Sequence, residues 1–167
     1  MRIPIVDEND KIIEIKDRNK VNYNKDIYRV SALWITNSKG KILLARRAFT
    51  KKQNPGKWGP AAAGTIEEGE TYKNNIVKEA EEELGLKNIK PKKGFKELVK
   101  GRYKHFTQWF YFKLDMDIDE FDYNKDEVVE IGWFTKKEVV NFIKTNSTTS
   151  MSDEVLGEME NKIGVLK

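Results

Sequence analysis

The sequence predicts an α/β sandwich built on a mixed β-sheet. Segments rich in β-formers and segments with helical periodicity are mixed along the chain, without the regular βαβ alternation of a doubly wound parallel sheet. A length of 167 residues fits one domain and is sufficient to bury a core. The chain has no internal repeat, low-complexity tract or Gly/Ser-rich linker. We therefore expect residues 1–167 to form a single domain.

The first third of the chain predicts two pairs of strands. The turn-forming run DEND separates the first two, so residues 1–27 are expected to form an N-terminal hairpin and a polar connector. The run NSKG separates the next two, which are rich in β-branched and aromatic residues. The four strands are expected at Ile3–Val6, Lys11–Ile15, Tyr28–Thr36 and Lys41–Arg47.

The rest of the chain predicts three helices and further strands. A first helix is expected from about Thr71 to Leu84, because Gly85 is a typical residue at a helix end. The spacing of Thr135 and Glu138 is that of a capping box and predicts the start of a second helix. Strands are expected at Phe95–Lys100, Tyr103–Leu114 and Glu127–Trp133. The later helices are expected at Thr135–Lys144 and Ser152–Ile163. The last helix is amphipathic, with Val155, Met159 and Ile163 along one stripe.

The composition excludes several classes of protein. Charged residues make up 35% of the chain and the mean hydropathy is −0.70, with no apolar run long enough to span a bilayer and no secretory signal, so we expect a cytoplasmic protein. The absence of cysteine excludes disulfides, thiolate zinc sites and cysteine nucleophiles. The net charge of +4 agrees only weakly with a phosphate-bearing partner, and no basic block indicates nucleic-acid binding.

Three glutamates share one side of the first predicted helix. Glu79, Glu82 and Glu83 are three and four residues apart, so their like charges cost roughly 0.2–0.5 kcal/mol per pair on an exposed helix. Lys78 is the one cation directly within the cluster, and Glu70 could join it from the preceding loop. A hard cation such as Mg²⁺ would turn the repulsion into attraction. Glutamate-rich faces are also commonly just solvated, so the charges alone leave that alternative open.

The segment from Gly64 to Leu86 resembles the Nudix box. That pattern is a glycine, five residues, a glutamate, seven residues, and then Arg-Glu-aliphatic-x-Glu-Glu-x-Gly-aliphatic. Gly64, Glu70 and the run KEAEEELGL from Lys78 match every fixed position except one, since Lys78 stands where the family has arginine. The likeness extends to residues 42–47, 55–58 and 130–134. The run VDEND near the start is similar to the subgroup that includes isopentenyl diphosphate isomerases.

The resemblance implies a fold and a set of site residues. The fold would be an α/β/α sandwich in which residues 64–86 form a loop–helix–loop. Metal ligands would be Glu79, Glu82, Glu83 and the backbone carbonyl of Ala63, catalytic residues would be Glu79, Glu82 and Glu127, and supporting residues would be Gly64, Glu70 and Lys78. Lysine is a point charge whereas arginine is a planar fork, so Lys78 is expected to orient the glutamates less rigidly and to slow catalysis.

Basic residues near the predicted box are candidates for binding substrate phosphates. Arg46, Arg47 and Lys57 lie at a predicted strand end and in the following loop, together with Lys51 and Lys52. The alternative is that these side chains are ordinary solvated residues. The single histidine, His105, is interpreted as incidental.

The resemblance implies a Mg²⁺-dependent hydrolase, with Mn²⁺ as a possible substitute, that cuts a diphosphate linkage in a small nucleotide-type substrate. Two alternatives are a prenyl diphosphate-processing enzyme and a catalytically weak module that binds nucleotides. Isomerase activity itself is disfavoured, because that family uses a catalytic cysteine and a histidine-rich metal site. No membrane or nucleic-acid partner is expected, and the sequence does not predict the oligomeric state.

Overall fold

The computed structural model of the protein describes residues 1–149 and 151–163. It contains strands, helices and two short 3-10 turns, the latter at Arg18–Lys20 and Ile118–Glu120. The strands are β1 (Arg2–Val6), β2 (Ile12–Asp17), β3 (Tyr28–Thr36), β4 (Ile42–Arg47), β5 (Trp58–Gly59), β6 (Ala62–Thr65), β7 (Lys92–Val99), β8 (His105–Lys113) and β9 (Val128–Phe134). The helices are α1 (Tyr72–Leu84), α2 (Lys136–Lys144) and α3 (Asp153–Ile163).

Seven of the strands form one mixed sheet, which confirms the predicted fold class. Its path is β5-β4-β3-β8-β7, with β6 also paired to β3 and β9 also paired to β4. The β3–β8 pair is parallel, whereas the other pairs are antiparallel. Strands β1 and β2 form a separate antiparallel hairpin, as predicted for the N-terminal segment.

The sheet divides between β3 and β4. These strands are in register only at Thr36 and Ile42, next to the turn that joins them. Beyond that point β3 pairs with β6 over residues 30–33, whereas β4 pairs with β9 along its whole length. The two halves therefore diverge, and a cleft opens between them.

Helices cover both faces of the sheet, because side chains of successive strand residues point to opposite faces. On β3, Leu33 and Ile35 pack in one cluster with the apolar side of α1, which is Ile76, Ala80 and Leu84 as predicted. Trp34, between them, packs in the other cluster with side chains of α2 and α3. Each such fully buried aliphatic side chain contributes about 1.5–3 kcal/mol. The α/β/α sandwich is thus confirmed.

The structure corrects several predicted boundaries. The strand expected at Phe95–Lys100 begins earlier, at Lys92, and the small-residue segment after the Pro55-Gly56 loop forms two short strands, β5 and β6. The connector after β2 contains a 3-10 turn that was not predicted. In the last helix Val155 and Met159 are buried as expected, and the side chain of Ile163 lies outside the described residues.

No helix in residues 1–149 and 151–163 combines the length and the apolar character that crossing a membrane requires.

Candidate active site

The loop and helix that carry the glutamates are fixed at both ends. Thr71 caps α1 by accepting a hydrogen bond from the Asn74 amide, and the Asn74 side chain accepts one from the Thr71 amide. At the other end Gly85 has φ of 70° and ends the helix in the left-handed conformation. A Cβ on Gly85 would lie 2.7 Å from the carbonyl oxygen of Asp122, so glycine also permits a close approach of the loop before β9.

Glu70 holds the loop against the helix and is fully engaged there. Its carboxylate accepts hydrogen bonds from Lys78 Nζ at 2.5 Å, from Asn75 Nδ2 at 2.8 Å and from the Glu67 amide at 2.9 Å. Asn75 is completely buried and also bonds to Ser31 on β3. These are the loop contacts expected of a supporting residue, and the role of Glu70 in the site stays a prediction.

The sequence predicts Lys78 directly within the cluster of glutamates, whereas in the structure it lies at the edge of that cluster, beside Glu70. Its ammonium group is bonded to Glu70 and lies 3.6 Å from Glu67 and 3.9 Å from Glu79. It therefore belongs to the loop network, with Glu79 at its margin. Within the part of the chain that the structure describes, Glu82 and Glu83 on the same helix form no ion pair.

Glu79 lies directly over Gly64. A Cβ at Gly64 would be 2.4 Å from Glu79 Cδ, so only glycine leaves room for the carboxylate at this place on β6. The Glu79 side chain is 16% exposed. Burial raises the pKa of its carboxyl to about 7; Lys78 opposes this shift, and the charges of Glu82 and Glu70 add to it.

Glu83 is the most strongly perturbed acid of the site. Burial raises the pKa of its carboxyl to about 8, and the charges of Glu79 and Glu127 add to the shift. The Ala63 amide donates a long hydrogen bond of 3.4 Å to its Oε2. This contact of Ala63 is made by the N–H group, so the metal-ligand role of its carbonyl stays a prediction.

Glu82 and Glu127 complete the acidic side of the site. Glu82 is exposed, whereas Glu127 lies in the loop before β9 and forms an ion pair with Lys51. That loop is tied to the end of α1, because the Asn124 amide donates to the Glu83 backbone carbonyl at 2.9 Å.

All four glutamates line one cavity of about 560 Å³, in the cleft where β3 and β4 diverge. Ala63 and Gly64 lie in the same wall. Within the described part of the chain, no three acidic or histidine side chains are already close enough together to form a preassembled metal cluster. The structure thus gathers the predicted acids around a shared space, with their carboxylates at separate points of its wall.

The structure separates the three basic residues proposed for substrate binding. Arg47 lines the cavity, and its Nε donates to the Gln53 carbonyl at 2.9 Å. Arg46 points elsewhere, with its Nε on the Gly56 carbonyl at 2.9 Å and its guanidinium 5.1 Å from the centre of the Phe49 ring. Lys57 is likewise absent from the lining of the cavity among the described residues, whereas Lys51 is part of it.

Several lining residues were not predicted from the sequence. The N-terminal hairpin contributes Met1 and Arg18, and strands β3 and β8 contribute Tyr28, His105 and Thr107. The Thr107 hydroxyl is buried and has no hydrogen-bond partner among the described residues. These positions are far apart in the sequence, and only the alternation of side chains along β3 and β8 could have indicated that they share a face.

His105 is interpreted as incidental from the sequence, but in the structure it is buried and forms part of the cavity wall. Its Nδ1 lies 2.7 Å from the Tyr103 carbonyl, which can only accept, so Nδ1 carries the proton. Burial lowers the pKa of the imidazole, and the hydrogen bond to Tyr103 partly offsets this shift, so the ring is neutral at pH 7. The other nitrogen, Nε2, is therefore left as a hydrogen-bond acceptor.

Comparison with known proteins agrees with this geometry. The family model described as NUDIX domain matches residues 26–153. The chain is 30% identical over 84% of its length, and over 84% of the relative, to the uncharacterised Nudix hydrolase all7351 of Nostoc sp.. Among solved structures, DR0079 of Deinococcus radiodurans superposes with a TM-score of 0.76 at 19% identity, covering 89% of this chain and 92% of that one.

Two further solved structures share the fold at lower identity. A C. elegans Ap4A hydrolase has a TM-score of 0.65 at 13% identity, covering 83% of this chain and 98% of that one. The Nudix domain of Shewanella oneidensis NrtR, complexed with ADP ribose, has a TM-score of 0.63 at 13% identity, covering 91% and 94%. With the matched family model and the box residues around one cavity, these findings show that the chain belongs to the Nudix family of diphosphate hydrolases.

Proposed function

We propose that the protein is a Mg²⁺-dependent hydrolase that cleaves a diphosphate linkage in a nucleotide-type substrate. The observation that carries the proposal is the placement of Glu79, Glu82, Glu83 and Glu127 around one cavity that also contains Arg47. Carboxylates and a guanidinium in one cavity suit a metal-bound, negatively charged group.

The donor atoms in the cavity are those that a hard divalent cation prefers, and the glutamate side chains would have to move together to share one cation. Glu79 and Glu83 are oxygen donors whose raised pKa values, about 7 and about 8, reflect burial and too little neutralising charge. A cation would replace the protons on both groups. We infer that Glu79, Glu82 and Glu83 would hold Mg²⁺, or Mn²⁺ in its place, with the Ala63 carbonyl as a further ligand. When bound, the cation would supply charge neutralisation on the phosphate oxygens and a lowered pKa of bound water.

Glu79 is proposed to accept the proton of the attacking water. Once a cation has displaced its proton, Glu79 would be ionised in the lining of the cavity and able to accept a proton from water. The contact with Gly64 fixes the position of its carboxylate. The alternative base, Glu127, is already paired with Lys51. Arg47, whose Nε is held by Gln53, is oriented to bind a phosphate oxygen through the rest of its guanidinium.

The lining of the cavity favours a nucleotide over a prenyl chain. Much of it is polar or aromatic, including Tyr28, Tyr103, His105, Thr107 and Asn54. Such side chains can stack on a base and form hydrogen bonds with a sugar, whereas an isoprenoid requires an aliphatic wall. Two of the solved structures with this fold support the same class of substrate, since one is an Ap4A hydrolase and the other is complexed with ADP ribose.

A substrate screen with the Glu82→Gln variant tests the proposal. Product release is measured for a panel of nucleoside di- and triphosphates, nucleotide sugars, dinucleoside polyphosphates and prenyl diphosphates, with Mg²⁺ or with EDTA. The wild type is expected to cut a nucleotide only with Mg²⁺. Glu82→Gln is expected to lose at least about 100-fold in kcat, because a proposed metal ligand is removed. The fold should stay intact, since the Glu82 side chain is exposed. Glu81→Gln, also exposed on α1, is the matched control. Full activity of Glu82→Gln would refute the assignment.

A further inference from the structure

Arg18 lies at the same cavity as Arg47, although it comes from the separate N-terminal hairpin. It begins the 3-10 turn that follows β2, and its amide donates to the Met1 carbonyl at 2.9 Å. The turn thereby brings both residues to the cavity wall. The guanidinium is near enough to Arg47 and Tyr28 for its charge to affect their ionisation.

The two arginines carry charge that the described residues do not neutralise by an ion pair. The polar side-chain contact of Arg18 is with Met1 Sδ at 3.5 Å, and that of Arg47 is with a backbone carbonyl. Burial lowers the pKa of Arg47, and the charge of Arg18 acts in the same direction, against the attraction of Glu83 and Glu127. Two guanidinium groups that repel each other across an open cavity are stabilised when an anion lies between them.

Tyr28 supplies a neutral donor beside these charges. Tyr28 is 5% exposed; the Tyr23 ring packs edge-on against its ring, and the His105 ring lies 5.1 Å away at a tilt of 32°. Burial raises the pKa of its hydroxyl to about 12, so the group stays protonated at physiological pH. A protonated tyrosine hydroxyl in the same cavity as two guanidinium groups is a further hydrogen-bond donor for a phosphate oxygen.

We propose that Arg18, Arg47 and Tyr28 form a second anion subsite, which binds a phosphate group of the substrate beyond the linkage that is cut. Arg47 links this subsite to the glutamates, because it lines the same cavity as they do and its charge interacts with Glu83, Glu127 and Arg18. A phosphate chain that runs from the glutamates past Arg47 reaches Arg18. The subsite therefore selects nucleotides with three or more phosphates over those with two. This inference rests on the proposed function for the identity of the reaction.

The Arg18→Gln variant of the full chain tests the subsite, with Lys20→Gln as a control of equal charge change on the same 3-10 turn. Binding of inorganic tripolyphosphate and of pyrophosphate is measured by calorimetry at pH 7 in EDTA. Arg18→Gln is expected to weaken tripolyphosphate binding about tenfold and pyrophosphate binding less than about twofold, since one charge-assisted contact is lost. Lys20→Gln is expected to change neither by more than about twofold, because exposed charges act weakly at a distance.

Kinetics separate this inference from the proposed function. In Arg18→Gln the KM of a nucleoside triphosphate is expected to rise about tenfold with kcat unchanged, and the KM of the matching diphosphate to stay constant. Three results would overturn the subsite. The first is an equal effect of Arg18→Gln on both substrates or on both probes, and the second is an equal effect of Arg18→Gln and Lys20→Gln. The third is that tripolyphosphate does not bind to the wild type. Selective loss of tripolyphosphate binding in a protein that hydrolyses no nucleotide would instead keep the subsite and refute the proposed function.

Discussion

The contact between Gly64 and Glu79 explains why the box requires a glycine on β6. The chain there pairs with Ser31 on β3, and the Glu79 carboxylate occupies the space that any side chain would fill. A glycine can be required either for a positive φ or for lack of space. Gly64 is not among the described residues with positive φ, so the reason here is the space that Glu79 occupies. A change at Gly64 therefore acts on the position of a functional side chain and leaves the backbone unstrained.

Gly64→Ala is expected to reduce activity without unfolding the protein. The new methyl group would meet the end of the Glu79 side chain at about 2.4 Å and push the carboxylate away. Displacements near 1 Å of a catalytic group cost on the order of 100-fold in kcat. Measured kcat together with the melting temperature checks this, and Gly101→Ala, whose Cβ would meet nothing within 4 Å, is the control. Unchanged kcat, or a loss matched in Gly101→Ala, would contradict the role given to the contact.

Residue by residue, the sequence predicted the acids better than the bases. Glu79, Glu82 and Glu83 lie on one helix, so their spacing alone brings them to one side of it. Arg46 and Arg47 are neighbours on a strand, where side chains alternate, and the sequence does not say which of the two faces the cleft. Arg18 and Asn75 depend on contacts with distant parts of the chain. Such contacts leave no local pattern in the sequence.

One aspartate of the N-terminal hairpin bonds both to the main sheet and to helix α1. Asp10, at φ of 63° in the turn between β1 and β2, accepts hydrogen bonds from Arg29 Nε at 2.7 Å and Lys96 Nζ at 2.7 Å. It also accepts one from the hydroxyl of Tyr72, the first residue of α1, at 3.0 Å. The hairpin that carries Arg18 is thereby linked to the sheet and to the helix of the glutamates.

Asp10→Asn is expected to destabilise the protein by about 1–3 kcal/mol at pH 7, as for other charged groups that lose their hydrogen bonds. Burial raises the pKa of Asp10, but the bonds from Lys96, Arg29 and Tyr72 outweigh it and hold the pKa below its usual value. The stabilisation is therefore present at neutral pH and is lost as the pH falls through the depressed pKa. Asparagine also tolerates the left-handed backbone, so the variant isolates the charge.

Urea denaturation of wild type and Asp10→Asn at pH 7 and at low pH measures this difference in stability. Glu8→Gln, whose side chain is 78% exposed, is the control and is expected to change stability by less than about 0.5 kcal/mol. A difference between Asp10→Asn and wild type that is the same at both pH values would mean that the aspartate charge is not responsible.

The helices and the longer strands were predicted within a few residues, whereas the two shortest strands, β5 and β6, were not predicted. The helices α1 and α2 begin at the expected caps, because Thr71 and Thr135 form capping boxes within one turn of chain. The strands β5 and β6 contain two and four residues and exist through their pairing with β4 and β3. No window that short carries a reliable period.

The whole molecule creates the site by dividing its sheet. Divergence of β3 from β4 opens the cleft, α1 places the glutamates on one side, and the loop before β9 adds Glu127. The mixed sheet with helices on both faces could be predicted from the sequence, because it follows from patterns within each segment. The cleft could not, since it depends on how far two strands stay paired.

The electrostatics of the cavity predict that metal and protons compete for the same acids. Glu79 and Glu83, with pKa values of about 7 and about 8, are largely protonated in the free protein at pH 6.5 and largely ionised at pH 8.5. A cation that binds both must displace their protons. Raising the pH should therefore strengthen metal binding, and saturating metal should offset the effect of low pH.

The most direct test is a Mg²⁺ titration of nucleotide hydrolysis by the wild type at pH 6.5 and pH 8.5. We expect no turnover in EDTA, similar rates at saturating Mg²⁺, and a half-saturating Mg²⁺ concentration at least about tenfold lower at the higher pH. Turnover that persists in EDTA, or a half-saturating concentration that does not depend on pH, would contradict the claim that these buried glutamates hold the metal.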